Sequence, residues 1–241
     1  MTTGAETAGF MAMKGSGYYS KVTVSARQAI DAATPWVLEV VDRLPLDDDG
    51  PPVRVADLGC ADGGTSIGLW HRVLSALRQQ VPGRAIEIVY TDLPKNDFSQ
   101  LFRMLHGQTE IESYYGQIPD VYPFASATSF HEAIFPPASV HLAFSAHANH
   151  YISKVPCPIA EHVHMVGATE AERAAYEDAG RVEWERLLAL RARELVPGGR
   201  LCMMSFGIDD NGHHIGHTGG VRVFDTFNTL WRQLADEGVI S

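Results

Sequence analysis

The chain has 241 residues, 45% apolar and 20% charged, with 29 acidic against 19 basic side chains and a formal net charge of −10. That length supports one sizeable core with at most a smaller appended layer, and the acidic balance, with no basic stripe, speaks against the phosphate neutralisation on which nucleic-acid binding depends. Cys60, Cys157 and Cys202 are too few and too widely spaced for a disulfide framework or a paired-cysteine metal knuckle. No stretch reaches the roughly 20 apolar residues of a membrane span, and the first residues lack the basic and apolar regions of a signal peptide. The composition therefore predicts a soluble, cytoplasmic protein that binds neither nucleic acid nor membrane.

Residues 1–12 are small and polar and read as a flexible lead-in. From Val22 to Leu44 apolar residues recur at helical spacing (Ile30, Val37, Leu38, Val41), and the run breaks at Pro45 and the acidic Asp47–Pro52 turn. Val53–Leu58 is a β-rich run, followed by a glycine-rich turn and an amphipathic helix from Ser66 to Val81. Ala85–Tyr90 predicts a second strand that closes on Thr91 and Asp92, so the pair forms a βαβ unit. Further strands are expected at Val121–Ala127, Val140–Ala146 and Arg200–Phe206. Such alternation predicts an α/β, Rossmann-like, mostly parallel sheet with helices on both faces. The charged helical segment Ala168–Leu195 exceeds what a crossover needs; a cap-like insertion around 157–195 within a domain covering 13–241 is the expectation.

Asp57-Leu58-Gly59-Cys60-Ala61-Asp62-Gly63-Gly64 lies between a strand and a helix, where glycines let the backbone approach a ligand at the carboxyl edge of a sheet. It departs from G-x-G-x-x-G and has no P-loop Lys-Ser/Thr, so it suits an adenosyl sulfonium better than a pyrophosphate. An ordinary tight turn is the plainer alternative. Asp92, ending the second strand, is placed to accept hydrogen bonds from both ribose hydroxyls of a nucleoside cofactor; capping the next helix is its alternative role, open equally to Asn96 or Asp97. Leu195-Val-Pro-Gly-Gly-Arg-Leu201 reads as a helix stop, a turn and a strand start. The histidines His162, His164, His213, His214 and His217 lack regularly spaced carboxylate or cysteine partners, so no metal is expected. The glutamates from Glu170 to Glu194 read as a solvated helix face.

Four segments together resemble the SABATH family of S-adenosylmethionine-dependent carboxyl and N-methyltransferases, which act on salicylate, benzoate, jasmonate, indole acetate and xanthines. Met13–Lys21 resembles its N-terminal segment around Ser-Tyr-Ala-Lys-Asn-Ser, and Asp57–Gly63 its Asp-Leu-Gly-Cys-Ser-Ser-Gly. Thr91–Phe98, running on to Arg103, is similar to its Asn-Asp-Leu-Pro-x-Asn-Asp-Phe, the most specific of the four. Ser129–Pro136 and Ser145–Pro156 resemble its Ser-Phe-Tyr and Ser-Ser-Tyr-Ser-Leu-His-Trp-Leu-Ser-x-Val-Pro stretches.

The resemblance implies S-adenosyl-L-methionine as cofactor, contacted by Tyr19, Asp57, Gly59, Cys60, Asp92, Leu93, Ser129, Phe130 and Ser145. It implies acceptor contacts from Tyr18, His147, His150 and Tyr151, with His150 and Tyr151 orienting the acceptor for transfer. His147 stands where the family has Tyr, Tyr151 where it has Trp, and Ala26 where a Gln commonly meets the acceptor carboxylate. Methyl-ester formation on a small carboxylic acid is the implied reaction; methylation of a heterocycle or natural-product hydroxyl, or a catalytically silent cofactor-binding subunit, are the alternatives. Family chains continue beyond the stretch matching Val223–Ser241, which implies an exposed sheet edge covered by a partner, either a second copy or a complementing subunit.

Overall fold

The computed structural model describes residues 17–213, 215–218 and 221–240. The expected lead-in at 1–12 lies outside them, as do His214 and the first residues of the Met13–Lys21 segment.

The described chain runs through α1 (Tyr18–Val22), α2 (Val24–Val41), β1 (Val53–Leu58), α3 (Ile67–Gln80), β2 (Ile86–Thr91), α4 (Phe98–Leu105), β3 (Val121–Ser126), β4 (Val140–Ala146), α5 (Glu170–Glu194), β5 (Leu195–Met204), the two-residue strands β6 (His217–Thr218) and β7 (Val221–Arg222), and α6 (Val223–Asp236). The first five strands form one sheet in the order β3-β2-β1-β4-β5, and every pairing in it is parallel. The order reverses beside β1, which pairs with β2 on one side and β4 on the other; in open α/β sheets that switch point opens the crevice that receives ligands. The predicted α/β class and the strand–helix–strand unit are what the fold contains.

Strands covered on both faces are near-continuously apolar, and β1, β2 and β4 follow that rule: Val53, Val55, Ile86, Ile88, Leu142 and Phe144 are all buried. Helix α3 turns Ile67, Leu69, Trp70, Val73, Leu74 and Leu77 inward, and the Trp70 ring meets Phe144 edge-on with centroids 6.1 Å apart. Tyr90 and Tyr114, fully buried, share their hydroxyls at 2.9 Å, which gives each polar tip a partner inside the core.

One strand departs from the sequence reading. Strand β5 starts at Leu195, where α5 ends, rather than at Arg200. Its register against β4 jumps from Val140–Leu195 to Leu142–Arg200, so Pro197-Gly198-Gly199 bulges out of a continuing strand instead of separating helix from strand. Gly198 adopts φ +80° there, and a Cβ on it would press into the Pro45 ring.

The chain divides into two compact units: residues through Asn149 together with Leu187–Met204, and His150–Arg186 together with Ser205–Ser241. The first holds the five-stranded sheet and its core. The second is held by polar contacts on its loops. Glu183 accepts hydrogen bonds from the Ser153 amide, at 2.7 Å, and the Ser153 hydroxyl; Tyr176 donates to the Cys157 carbonyl at 3.1 Å; His162 Nε2 lies 3.2 Å from an Asp225 oxygen. His164 stacks on Phe224 at 3.8 Å. Among the described residues no helix is long and apolar enough to cross a membrane, and no group of three or more metal-ligating side chains gathers.

Candidate functional site

The carboxyl ends of β1 and β2 are in register, Leu58 opposite Thr91, which brings the glycine turn alongside Asp92. The Thr91 carbonyl accepts from the amides of Gly59 and Cys60 at 2.8 and 3.0 Å, fixing the first step of the turn. Gly59 has φ +78°, a conformation strained for any other residue, and a Cβ there would collide with the Ala148 methyl and come within 3.8 Å of the Phe130 ring. Gly59 therefore lets the segment after β4 and the loop after β3 close on the turn.

Asp92 binds the turn from the other side. Its Oδ2 accepts from the Ala61 amide at 2.7 Å and its Oδ1 from the Leu93 amide at 2.7 Å. Burial raises its pKa, and those two amides offset only part of the rise. Asn96 donates to the Ala61 carbonyl at 2.7 Å, and Asp97 caps α4 by accepting from the Gln100 amide at 3.1 Å. The capping role open to Asp92 in the sequence thus falls to Asp97. Each Asp92 oxygen still has lone-pair capacity for a ligand hydroxyl beside its backbone bond.

Asp57 lies beneath the turn. Its Oδ2 accepts from Ser66 at 2.6 Å and from the Trp70 indole at 2.8 Å. Burial pushes its pKa up to about 6; the two hydrogen bonds oppose this and the neighbouring charge of Asp92 adds to it. Cys60 is buried, and its thiol is held well above its ordinary range by burial, then by Asp57, Asp92 and Asp62. It stays a protonated thiol at neutral pH and is unsuited to nucleophilic work.

Asp62, which the sequence reading did not single out, anchors α1. It accepts from the Ser20 amide at 3.0 Å and the Ser20 hydroxyl, while Arg27 on α2 donates to the Ser20 carbonyl at 3.2 Å. Ser20 is thereby held from two elements, with Tyr18 and Tyr19 in the same short helix. Ser145 donates to the Leu58 carbonyl at 3.0 Å, tying β4 to β1. Ser129 Oγ accepts from the His131 amide at 3.2 Å within the loop that carries Phe130.

Every residue expected to meet the cofactor thus lies in the first unit, Tyr19 in α1 and the others at strand ends and in the loops that follow them. The acceptor residues are divided: Tyr18 and His147 belong to the first unit, His150 and Tyr151 to the second. His147 follows β4 in a left-handed conformation, φ 56°. Burial lowers its pKa and a hydrogen bond with the Ala26 backbone partly restores it, so its imidazole is neutral at neutral pH. In the second unit the His150 ring packs between Tyr151, at 4.2 Å, and Phe206, at 4.8 Å.

The expectation of a fully solvated glutamate face on the long helix is corrected at its end. Glu194 is only 2% exposed and pairs with the equally buried Arg191 at 2.8 Å. Nothing in residue type separates Glu194 from its exposed neighbours; the i, i+3 spacing of Arg191 and Glu194 ahead of a strand was the available signal.

The group that the resemblance implies fits this edge. Asp57, Asp62 and Asp92 all raise the Cys60 pKa, and such a gathering of carboxylates complements a cationic adenosyl ligand and opposes a pyrophosphate. The family model for SAM-dependent carboxyl methyltransferases matches residues 7–241. The chain belongs to that family. Gibberellic acid methyltransferase 2 of Arabidopsis thaliana is 26% identical over 88% of this chain and 59% of its own length. Loganic acid O-methyltransferase of Catharanthus roseus is 26% identical over 95% of this chain and 65% of its own. A solved structure described as loganic acid methyltransferase with SAH superposes with a TM-score of 0.77 at 23% identity, covering 95% of this chain and 68% of that one. The chain spans less than two thirds of the length of these two curated relatives.

Proposed function

We propose that this chain binds S-adenosyl-L-methionine at the glycine turn and directs its methyl group to the carboxylate of a small organic acid. The observation that carries the reading is the joint geometry of Gly59 and Asp92: a turn open to close backbone approach, bordered by a carboxylate whose backbone bonds leave it capacity for ribose hydroxyls. The cofactor supplies an electrophilic methyl on a sulfonium. Asp92 would hold the ribose, and Phe130, against Gly59, would offer an apolar wall to the adenosine. Asp57 in its ionised form would place negative charge beneath the cationic ligand.

The acceptor needs no general base, since a carboxylate is already ionised at neutral pH. What remains is alignment within near-attack distance and exclusion of water. Neutral His147 in the first unit would orient an acceptor through a polar tip without a fixed cation, and the second unit carries His150 and Tyr151 as rings of the same kind. Ala26 in place of the carboxylate-binding Gln favours a second reading, transfer to a heterocycle nitrogen or natural-product hydroxyl. The unpaired outer edge of β5 among the described residues favours a third, a cofactor-binding subunit completed by a second copy or another polypeptide.

Calorimetric titration with S-adenosylhomocysteine, then labelled cofactor with a panel of acids, phenols and xanthines, separates the three. Saturable binding with base-labile methyl esters supports ester formation, label on another acceptor class supports the second reading, and binding without turnover until a second polypeptide is added supports the third. Asp92→Ala removes two charge-assisted hydrogen bonds and should weaken binding by about 100-fold or more; unchanged affinity removes Asp92 from the ribose role.

A further inference from the structure

Resting on that cofactor reading, we propose that the buried ion pair Arg191–Glu194 is a positioning device that sets the loop carrying Ser129 and Phe130 against the glycine turn. The loop between β3 and β4 is irregular, so its backbone polar groups must find partners outside any ladder. Four come from this pair. Arg191 donates to the carbonyls of Phe130, at 3.1 Å, and Glu132, at 2.8 Å, and Glu194 Oε1 accepts from the amides of Ile134, at 2.7 Å, and Phe135, at 3.2 Å. Arg191 and Glu194 join each other at 2.8 Å, and the carbonyls of Arg193 and Glu194 accept from Ala138 and Ser139 at 3.0 and 2.8 Å. The end of α5 thus fixes both directions of a loop about sixty residues away in sequence, and with it the Phe130 ring beside Gly59.

Stability alone does not account for the pair. Arg191 and Glu194 are 1% and 2% exposed, and two charges withdrawn so far from water recover their desolvation only with complete hydrogen bonding. Arg191 Nε and Glu194 Oε2 lack a partner among the described residues. A well-packed apolar pair of similar volume would hold the helix end as firmly, and would leave the loop backbone without its four anchors. The pair therefore serves loop geometry.

The test uses Arg191→Met/Glu194→Leu, which removes both charges together, and Arg191→Lys, which keeps the charge but lacks the fork that reaches two carbonyls. The paired variant should melt at or above the wild-type temperature and bind S-adenosylhomocysteine about tenfold more weakly, the coupling typical of groups in one network. Phe130→Ala should cost less affinity in that background than in the wild type. If the paired variant fails to fold, Arg191→Lys carries the same affinity measurement. Wild-type affinity in the variant that folds, or an equal cost of Phe130→Ala in both backgrounds, overturns the positioning role and leaves the cofactor reading standing. Absence of binding by the wild type removes both.

Discussion

The two units of this chain bury their apolar residues very differently. In the first, Trp70, Phe144, Leu58, Leu69, Leu74 and Ile88 are shut away from solvent between the sheet and its helices. In the second, α6 has apolar residues at helical spacing but buries none of its side chains: Phe227, Leu230 and Trp231 are each more than half exposed. The first unit draws its order from a core, as the proposed cofactor site would require, since a misplacement of about 1 Å can cost a reaction about 100-fold. The second draws its order from dispersed polar contacts such as Glu183 with Ser153 and Tyr176 with Cys157, most of them half-exposed and individually weak. Local openings are correspondingly cheaper there.

The largest test of that contrast is Phe144→Ala. Phe144 is fully buried against Trp70, and its truncation should cost about 3–5 kcal/mol of unfolding free energy in denaturant titration. A loss below about 1 kcal/mol would show that the sheet unit is no better packed than its neighbour, and the comparison would fail at its stronger side.

Next in size is a pH effect confined to the first unit. The Asp57 carboxyl has an ordinary value of 3.8 and sits at about 6 in the folded chain, so the native state binds its proton more tightly than the unfolded state does. The stabilisation from that proton is fully present below pH 3.8 and is lost as pH rises through about 6. The difference corresponds to about 3 kcal/mol. Asp57→Asn, which cannot ionise and can still accept from Ser66 and Trp70, should therefore gain on the wild type as pH rises from 4 to 7, by about 3 kcal/mol at the upper end. An offset independent of pH would mean that Asp57 is not desolvated. The same variant should bind the cationic cofactor more weakly than the wild type above pH 6, because the ionised carboxyl is the form that attracts it. A site of this kind trades native stability for charge.

The βαβ unit was legible because its signals agree at every level: a buried apolar strand, glycines at the turn, a 3.6-residue apolar period in α3 and an acid at the end of β2. The helix-cap alternative at Asp92 needed one structural fact to set it aside, the cap supplied by Asp97. Beyond their i, i+3 spacing, Arg191 and Glu194 gave no sign of their role, because their burial is imposed by residues 130–135 in a distant loop. The start of β5 was misplaced for a related reason. Pro197-Gly198-Gly199 carries the chemistry of a turn, and only pairing with Val140 shows that the strand has already begun. Asp62 stood inside the recognised turn, yet its partner Ser20 lies 42 residues away. The acceptor side remains hardest to read, since its expected residues fall in both units.

The smallest expected effect is the most discriminating for the second unit. Trp231 is 57% exposed on α6, beside Phe227, Leu230 and Leu234 in a groove that Ile159 also lines. If that stripe is solvent-facing in the working protein, Trp231→Ser should shift unfolding free energy by no more than about 0.5 kcal/mol, while the buried Phe144→Ala costs several times as much. A loss of about 2 kcal/mol or more from Trp231→Ser would place it among truncations of buried aromatic rings, and a loss that grows with protein concentration would identify the covering surface as another copy of the chain. Contiguous exposed apolar surface of this kind ordinarily marks a place of contact, so the sign of the concentration dependence decides whether the contrast between the units belongs to the single chain or only to its separation from a partner.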